Sequence, residues 1–497
     1  MPRVKPVSLA VTPDAYELFH NGSLSLSVME QNGIRVDESY LHATMESNAK
    51  TISTLQAELR TDPIFRRWRR RFGERTNVGS HNQLAVILYD ELGYECKRVT
   101  EKGKRSTEAE ALSLINIPFV KKFLLVEKKK KVQKTFLKGI RTEVCDGYLH
   151  PSFNLASGGQ QDDEKGGTRS YRSSSSSPNF QNFPVRDPEM GELVRKCFIP
   201  RKGRRIVEVD FSGIEVKGAG CYTRDPNLVK YIEDMGKSGA DKTDMHRDTA
   251  TQVFLCKPGE VSKDMRGTSK NKFVFPQFYG SYYINCAANL WDDQAKYELR
   301  LLAPGDDPKT KKPTGPTVRE HLKSRGIKDL GSLDPRDKAG KGTYVKLLRD
   351  IEEHFWGTRF PVYAQWKEDW WAEYQRHGRF GMFTGFVVEG VYGKNDVTNY
   401  PIQGSSFHCT LWCINRIQYL LRKRRMKSLL VGQIHDSILG DCPDSEVDDF
   451  VQLCHRVMTK ELPRAWDWIT VPLEVEAEVC PLGGSWHDKK EYKIVAA

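Results

Sequence analysis

One apolar run, LLVGQIHDSILGD (429–441), is interrupted by three consecutive polar residues, and this interruption restricts the local fold more than any other feature of the chain. His435, Asp436 and Ser437 separate two apolar segments, which is the pattern of a β-hairpin whose tip projects a carboxylate. A hydrolase relay is excluded, because alternate side chains of a strand point to opposite faces and three consecutive residues cannot form one. The run therefore predicts a hairpin with Asp436 at its tip.

A second segment, RRIVEVDFSG (204–213), predicts a β-branched strand that ends in Asp210. Two carboxylates at strand ends can share two Mg²⁺ ions about 3.5–4 Å apart, an arrangement that stabilises the attacking and leaving oxygens in phosphoryl transfer. A single aspartate at a strand end is more often a turn former or a cap. The interpretation of Asp210 and Asp436 as a metal pair therefore depends on their surroundings.

The totals describe a large globular chain with an excess of basic residues. Its 497 residues carry a net charge of +12, with 29% charged and 38% hydrophobic residues, so several domains are expected. No apolar run reaches the about 20 residues of a membrane helix, and Pro6, Pro13 and Asp14 interrupt the place of a signal peptide. The 11 cysteines are scattered, with Cys409 and Cys413 the closest pair, which fits reduced thiols. We expect a cytoplasmic protein with no membrane contact, and nucleic acid is the favoured partner, although dispersed lysine can serve solubility alone.

Helical patterns dominate the first 145 residues. A turn at Asn32-Gly33 leads into one helical pattern, and a capping box from Thr107 to Glu110 predicts the start of another, which continues through residues 119–140. Within it, Lys128–Lys131 either grip a nucleic-acid backbone or form a solvated charged face, and the sequence does not decide between them.

Composition marks two irregular segments and one further strand. Residues 154–178 are rich in Gly, Gln and Ser, which predicts an irregular crossing between domains. A Pro, Gly and Lys-rich tract within 301–342 predicts an inserted surface excursion. VPLEVEAEVC (471–480) alternates apolar and acidic residues, as a half-buried strand does.

Ordered motifs along the chain resemble those of a known family. VDFSGIE, RGTSKNKFVFPQFYG and QIHDS resemble motifs A, B and C of the family A DNA polymerases, the DNA polymerase I group, in the family's order. SSSPNFQNFPVR, DMHRDTATQVF, NYPIQGSS and NGIRVD resemble further family segments. The resemblance covers nearly the whole chain and implies an α+β fold, the right-hand polymerase, with an antiparallel-sheet palm and mainly helical thumb and fingers.

The resemblance implies roles for individual residues. Asp210 and Asp436 would bind two catalytic Mg²⁺ ions, which Mn²⁺ can replace, with the backbone carbonyl of Phe211 as a further ligand. Lys270 would act in catalysis and, with other residues, hold the incoming nucleotide, although a solvated helix face is the structural alternative for its segment. The nucleotide-binding residues implied are Arg266, Lys270, His246, Phe275, Tyr279 and Glu215. The residues implied to contact primer-template DNA, mainly in its minor groove, are Arg186, Asn179, Gln403, Asn399, His435, Arg169 and Arg172.

Glu215 decides between two polymerase classes. Ser212 and Glu215 form a capping-box pattern, which is the structural alternative, whereas the resemblance implies that Glu215 blocks the space of a ribose 2′-hydroxyl. Single-subunit phage RNA polymerases often have His-Asp-Ser at motif C, as here, where these DNA polymerases more often have an acid at the position of Ser437. Motif A of those RNA polymerases lacks the glutamate, so Glu215, together with PNFQNFPVR and NYPIQG, favours DNA synthesis.

Motif B departs from the family pattern. Phe275 and Tyr279 have the usual spacing, but the step from Lys270 to Phe275 is one residue too long, and Pro276 follows. We therefore predict a π-bulge or kink in this helix. Phe275 is expected to stack near the nucleotide sugar, with Phe273 as the alternative; either could be a core residue.

We expect template-directed, primer-dependent DNA synthesis from deoxynucleoside triphosphates in phage or cellular replication or repair. Because few residues precede the thumb-like region and no D-x-E pair occurs there, proofreading is expected to lie in a separate exonuclease, with a helicase or other replisome proteins as further partners of a monomer. The rivals are a catalytically silent nucleic-acid-binding protein and a two-metal nuclease. The expected divisions are an N-terminal remnant (1–29), a thumb (30–145), a palm (146–240 and 399–497) and fingers (241–398) with an insertion near 300–345.

Overall fold

The protein is described here from a computed structural model that covers residues 9–96, 104–155, 168–185, 187–235, 244–307, 310 and 312–494. Its helices are α1 (Pro13–Asn32), α2 (Glu38–Thr61), α3 (Pro63–Phe72), α4 (His81–Ala85), α5 (Ala109–Leu112), α6 (Pro118–Lys131), α7 (Lys138–Glu143), α8 (Pro188–Arg195), α9 (Ile214–Thr223), α10 (Pro226–Met235), α11 (Met245–Val253), α12 (Lys263–Ser269), α13 (Phe275–Phe278), α14 (Tyr283–Lys296), α15 (Val318–Ser324), α16 (Tyr344–His354), α17 (Pro361–His377), α18 (Lys394–Lys423), α19 (Val447–Arg456) and α20 (Leu462–Ala465). Wider π-helical turns span Val86–Glu91, Val132–Leu137, Lys270–Val274, Phe355–Arg359 and Val457–Glu461. The strands are β1 (Ile34–Arg35), β2 (Val144–Cys145), β3 (Tyr148–Leu149), β4 (Ser152–Asn154), β5 (Ser174–Ser176), β6 (Arg204–Phe211), β7 (Arg379–Gly381), β8 (Val387–Glu389), β9 (Leu429–Ile434), β10 (Ser437–Pro443), β11 (Val475–Val479) and β12 (Lys490–Tyr492).

A five-stranded antiparallel sheet, in the order β12-β11-β6-β10-β9, positions both predicted metal ligands. In the central strand β6, Val207 and Val209 are buried, whereas Glu208 and Asp210 on the other face are partly exposed. This alternation gives one apolar face for the core and one face for polar chemistry. The strands predicted from RRIVEVDFSG and VPLEVEAEVC, and the antiparallel sheet, are confirmed.

The predicted hairpin is confirmed as β9 and β10, joined by a turn at His435 and Asp436. His435 has φ +52°, a left-handed conformation that a tight turn requires. The buried side chain of Gln433 donates a hydrogen bond to the His435 carbonyl and holds the turn.

Three clusters of buried apolar side chains occupy different stretches of the chain. The first surrounds the central sheet and includes α1, α18 and α19; the second is built mainly from residues 216–363; the third lies within residues 59–126. α1 belongs to the first cluster, because Ala15, Leu26 and Met29 are buried in it. The expected thumb, palm and fingers boundaries stay a prediction.

The lysine run in α6 is largely paired within the protein. Lys128 Nζ lies 2.8 Å from carboxylate oxygens of both Asp187 and Glu189, and Lys129 Nζ lies 2.6 Å from Glu189. Lys130 pairs with Glu127, one turn earlier in the helix. The acidic partners of Lys128 and Lys129 lie at the start of α8, far along the chain, and whether the run also contacts nucleic acid stays a prediction.

Other local predictions have mixed outcomes. The Asn32-Gly33 turn is confirmed, since α1 ends at Asn32 and Gly33 has φ +60°. The capping box at Thr107 is wrong: α5 begins at Ala109, and the Thr107 hydroxyl contacts His81 instead. Within the described part of the 154–178 crossing, residues 174–176 form strand β5, which pairs with β4.

The tract near 300–345 is anchored to the second cluster. Its helix α15 starts with a capping box from Thr317 to Glu320 and buries Val318 and Leu322. None of the described helices combines the length and the apolar composition that crossing a bilayer requires.

Candidate active site

The structure brings Asp210 and Asp436 to adjacent strand ends. Asp210 on β6 lies directly opposite Ser437, the first residue of β10, and Asp436 precedes Ser437 in the hairpin turn. The Phe211 N–H lies 3.5 Å from the Asp436 carbonyl oxygen, which ties the end of β6 to the turn. Because β6 is flanked by the hairpin, two carboxylates that are distant in sequence share one edge of the sheet.

Negative charge is left uncompensated at this edge. Burial, together with the charges of Asp436, Glu208 and Glu476, raises the pKa of Asp210 to about 8. Burial also raises the pKa of Asp436. Among the described residues neither aspartate forms an ion pair, so a bound cation would relieve a real electrostatic cost.

Glu215 joins three parts of the site. One carboxylate oxygen lies 3.2 Å from Arg172 Nη1, and the other accepts a hydrogen bond from the Tyr279 hydroxyl. Burial raises the pKa of Glu215, and Arg172 opposes that shift. The alternative of a capping box is wrong: Gly213, with φ +67°, is the N-cap of α9, and the Ser212 hydroxyl donates to Glu476 at 3.3 Å.

The residues expected to hold the nucleotide converge from α11 to α13. Lys270 Nζ lies 5.0 Å from the Phe275 ring centroid, and His246 meets the same ring edge-on at 5.8 Å. Arg266 Nε pairs with Asp244 at 2.6 Å. Burial and the neighbouring Lys270 and Arg266 lower the pKa of His246 to about 4, so its imidazole is neutral at pH 7.

The predicted widening of the motif B helix is confirmed at Lys270–Val274, which forms a π-helical turn. The turn absorbs the extra residue between Lys270 and Phe275. Phe273 is fully buried and packs on Phe355, so it is a core residue, whereas Phe275 is only partly buried.

The residues expected to contact DNA have different placements. Asn399 and Gln403 are half-buried, one turn apart on α18, and Asn399 Nδ2 donates to the Tyr279 carbonyl at 2.9 Å. Asn179, Arg169 and His435 are exposed, and only His435 adjoins an aspartate in the chain. Arg172 pairs with Glu215, as above, and Arg186 lies outside the described residues.

Several site residues were missed by sequence reasoning. Glu476 lies directly opposite Asp210 on β11, although the alternating pattern of that strand showed only that it was a strand. The Gln181 side-chain amide donates a hydrogen bond to Gln433 Oε1 at 2.6 Å, and Gln433 in turn holds the hairpin turn. Asp244 binds Arg266, a contact between elements that no local pattern signals.

A cavity of about 1390 Å³ lies away from this site, between α1, α18 and the loop with Trp466 and Trp468. None of the predicted site residues lines it. In the part of the chain that the structure describes, no three His, Cys, Asp or Glu side chains form a preassembled metal group. The candidate site therefore depends on Asp210 and Asp436 and not on a preassembled cluster of three ligands.

The chain belongs to DNA polymerase family A, whose family model matches residues 46–296 and 391–488. It is 26% identical over 493 residues to the thermostable DNA polymerase I of Thermus aquaticus, a match that covers 94% of this chain and 48% of that protein. It is also 26% identical over 495 residues to the DNA polymerase of Bacillus phage SP01, covering 88% of this chain and 46% of that protein. The chain thus spans about half the length of the curated relatives it matches.

A solved structure shares the fold. The POL domain of Pol1 from M. smegmatis, in complex with a DNA primer-template and dNTP, is 20% identical with a TM-score of 0.70. The match covers 95% of this chain and 70% of that one. The expected α+β polymerase fold, with an antiparallel sheet and mainly helical surroundings, is thereby confirmed.

Proposed function

We propose that this chain catalyses template-directed, primer-dependent DNA synthesis from deoxynucleoside triphosphates by two-metal phosphoryl transfer. The observation that carries the proposal is the pair Asp210 and Asp436, held at adjacent strand ends with no ion-pair partner in the described residues. Membership of family A and the likeness to a polymerase domain solved with primer-template and dNTP support these substrates.

The donor set fits magnesium. Carboxylate and carbonyl oxygens are the hard ligands that Mg²⁺ prefers, and Asp210, Asp436 and the Phe211 carbonyl supply them. The buried Ser437 hydroxyl beside Asp210 has no hydrogen-bond partner in the described part of the chain, which fits a polar centre completed by a ligand. When bound, two Mg²⁺ ions, or Mn²⁺ in their place, would acidify the primer 3′-hydroxyl and neutralise charge on the triphosphate.

The protein's own groups would orient the nucleotide. Lys270 and Arg266 would bind the triphosphate, with Lys270 adding positive charge where negative charge develops. His246 is neutral near pH 7, so it would contribute a hydrogen bond rather than charge. Phe275 would stack near the sugar, and Tyr279 and Arg172 would fix the Glu215 carboxylate against the ribose 2′ position.

DNA would lie along the palm, from the hairpin tip to α18. Asn179, Arg186, Asn399, Gln403 and His435 would follow the minor groove, where shared acceptors report base-pair geometry without reading sequence. Arg169 and Arg172 would add backbone contacts, which makes affinity salt-sensitive. The thumb, palm and fingers would divide as the sequence predicts, and a monomer in the cytoplasm would work with separate replisome proteins, including an exonuclease that proofreads.

Primer extension tests this proposal. The purified chain is given a labelled primer-template and, separately, deoxyribo- and ribonucleotides, with Mg²⁺ or with EDTA. We expect templated extension that requires Mg²⁺ and deoxyribonucleotides. Preference for ribonucleotides would identify the RNA polymerase rival, shortening of the primer would identify a nuclease, and binding without extension would identify a silent remnant.

A further inference from the structure

The candidate site contains a third acidic residue, Glu476, to which the proposed function gives no role. In an antiparallel sheet, residues directly opposite each other share a face. Glu476 on β11 is opposite Asp210, and Ser437 on β10 is opposite Asp210 from the other side. Glu476, Asp210 and Ser437 therefore form one transverse row, here called the cleft row, with Asp436 at its hairpin end.

Glu476 differs from the other acids nearby in its contacts. Glu474 pairs with Lys217, Glu478 with Lys489, and Glu215 with Arg172. The exposed Glu476 carboxylate has only the Ser212 hydroxyl, at 3.3 Å, as a hydrogen-bond partner within the described residues. When both side chains are ionised, like charges directly opposite each other in a sheet are destabilising, so a bound cation would stabilise this arrangement.

The other flank of Asp210 supports the same conclusion. Ser437 is 3% exposed, and its hydroxyl has no partner in the described part of the chain. An unpartnered buried hydroxyl is costly unless a ligand or water completes it. Within the described residues, the cleft row thus has a hydroxyl without a hydrogen-bond partner on one side of Asp210 and a carboxylate without an ion-pair partner on the other.

Resting on the proposed function, we propose that Glu476 supplies a third carboxylate, directly or through a bound water, to the divalent cation held by Asp210. Opposite Cβ atoms in a sheet lie about 4.5–5.5 Å apart, and glutamate is one methylene longer than aspartate, so a change of rotamer brings its oxygens to the ion. This movement accounts for the lack of a preassembled group of three ligands in the described residues. The cation itself replaces the Ser212 hydroxyl as the partner of Glu476.

Binding of Mn²⁺ alone, followed by electron paramagnetic resonance, tests the proposal without turnover. The full chain is loaded with a primer-template whose primer ends in a dideoxynucleotide, and Mn²⁺ is titrated into wild type, Glu476→Gln and Glu491→Gln. Glu491 is the matched control, because it is exposed on the same face of the sheet but lies opposite Glu478 in the next row. We expect Glu476→Gln to weaken Mn²⁺ binding about tenfold and Glu491→Gln to leave it unchanged.

Two further variants separate a ligand role from a structural one. Ser212→Ala removes the hydrogen bond to Glu476 and should leave Mn²⁺ affinity unchanged; a loss equal to that of Glu476→Gln would overturn the proposal. Thermal unfolding in EDTA should show Glu476→Gln at least as stable as wild type, with a smaller rise in Tm on adding Mn²⁺. Wild-type affinity in Glu476→Gln would also overturn the proposal.

Asp210→Asn in the same titration distinguishes this inference from the proposed function. If Asp210→Asn loses Mn²⁺ while Glu476→Gln does not, only the role of Glu476 fails. If neither substitution changes Mn²⁺ binding, the metal assignment in the proposed function fails as well.

Discussion

Two neighbouring rows of the same sheet treat their acids in opposite ways. The next row on the same face of the sheet, here called the inner row, contains Glu478, Glu208 and Leu439 opposite one another. Lys489 Nζ lies 2.6 Å from Glu208 and also contacts Glu478. Burial works against the charged form of Glu208, yet Lys489 lowers its pKa, whereas Asp210 in the cleft row has its pKa raised to about 8.

The two rows differ in whether a basic side chain neutralises their acids. The same strands supply both rows, so β-sheet geometry alone does not explain why one row is neutralised and the other is not. A buried acid is tolerated in the fold when a lysine accompanies it. The cleft row lacks such a partner among the described residues, so we expect a bound cation to stabilise it.

The strongest test of the comparison replaces one acid in each row. Asp210→Asn and Asp436→Asn should each reduce nucleotide addition at least about 10³-fold, or about 4 kcal/mol of transition-state stabilisation, because they remove metal ligands. Glu208→Gln should keep most activity at temperatures where it is folded. Primer-extension assays measure the rate of nucleotide addition by each variant. A filter-binding assay should show that both aspartate variants still bind primer-template. Near-normal turnover by either would refute the assignment.

Breaking the inner row should cost stability instead. Lys489→Met removes the ion-pair partner of the Glu208 carboxylate, and Glu208 and Lys489 are only 12% and 13% exposed. We expect the free energy of unfolding to fall by about 3 kcal/mol, measured by urea denaturation. The double variant Lys489→Met with Glu208→Gln should recover part of that loss. Equal losses in the single and double variants would show that the pairing does not matter.

Glu215 lies between the two cases, because Arg172 forms an ion pair with its carboxylate while burial still raises its pKa. Glu215→Ala should raise the ratio of ribonucleotide to deoxyribonucleotide incorporation about tenfold, since it opens the space expected for the 2′-hydroxyl, a difference of about 1.4 kcal/mol. Single-nucleotide incorporation with each sugar measures the ratio. Arg172→Lys, which keeps the charge, serves as a control for the ion pair. An unchanged ratio in Glu215→Ala would count against the gate.

The last expected effect is a difference in how stability depends on pH. The pKa of Asp210 is raised to about 8 in the folded chain from an ordinary value of 3.8, so the contribution of Asp210 to stability falls as pH rises between these values, and it is lost above pH 8. Asp210→Asn does not titrate, so its stability relative to wild type in EDTA should increase from pH 5 to about pH 8 and then level off. Glu208 has a lowered pKa, so its contribution is full above 4.5 and is lost as pH falls. Urea unfolding across this range measures both trends, and a constant advantage of Asp210→Asn would contradict the first.

Sequence reasoning succeeded where local pattern determines structure. The hairpin at 429–441 and the strand ending in Asp210 follow from apolar periodicity. The π-helical turn after Lys270 follows from a spacing one residue longer than in the motif B that this segment resembles. The pattern could not show that β11 lies beside β6, so Glu476 was missed as the neighbour of Asp210.

The failures arise where distant residues compete for a side chain. Ser212 matched a capping box, but Glu476, more than 250 residues later, takes its hydroxyl, and Gly213 caps the helix. For the lysines of α6 the sequence left DNA and solvent both open, and it gave no sign of the ion pairs with Asp187 and Glu189. Tertiary partners of this kind override local propensity, and no window of sequence contains them.

The widened turn at Lys270–Val274 lets the motif B helix change length without losing its alignment. An ordinary α-helix rotates by about 100° per residue, so an inserted residue would swing every later side chain away from the cleft. Here the wider turn confines that rotation to one place, and Phe275 still faces Lys270 while Tyr279 still reaches Glu215. Removing Asn271 should therefore convert the turn to regular helix and leave both partnerships intact, so that helix length and side-chain phase vary independently in this part of the chain.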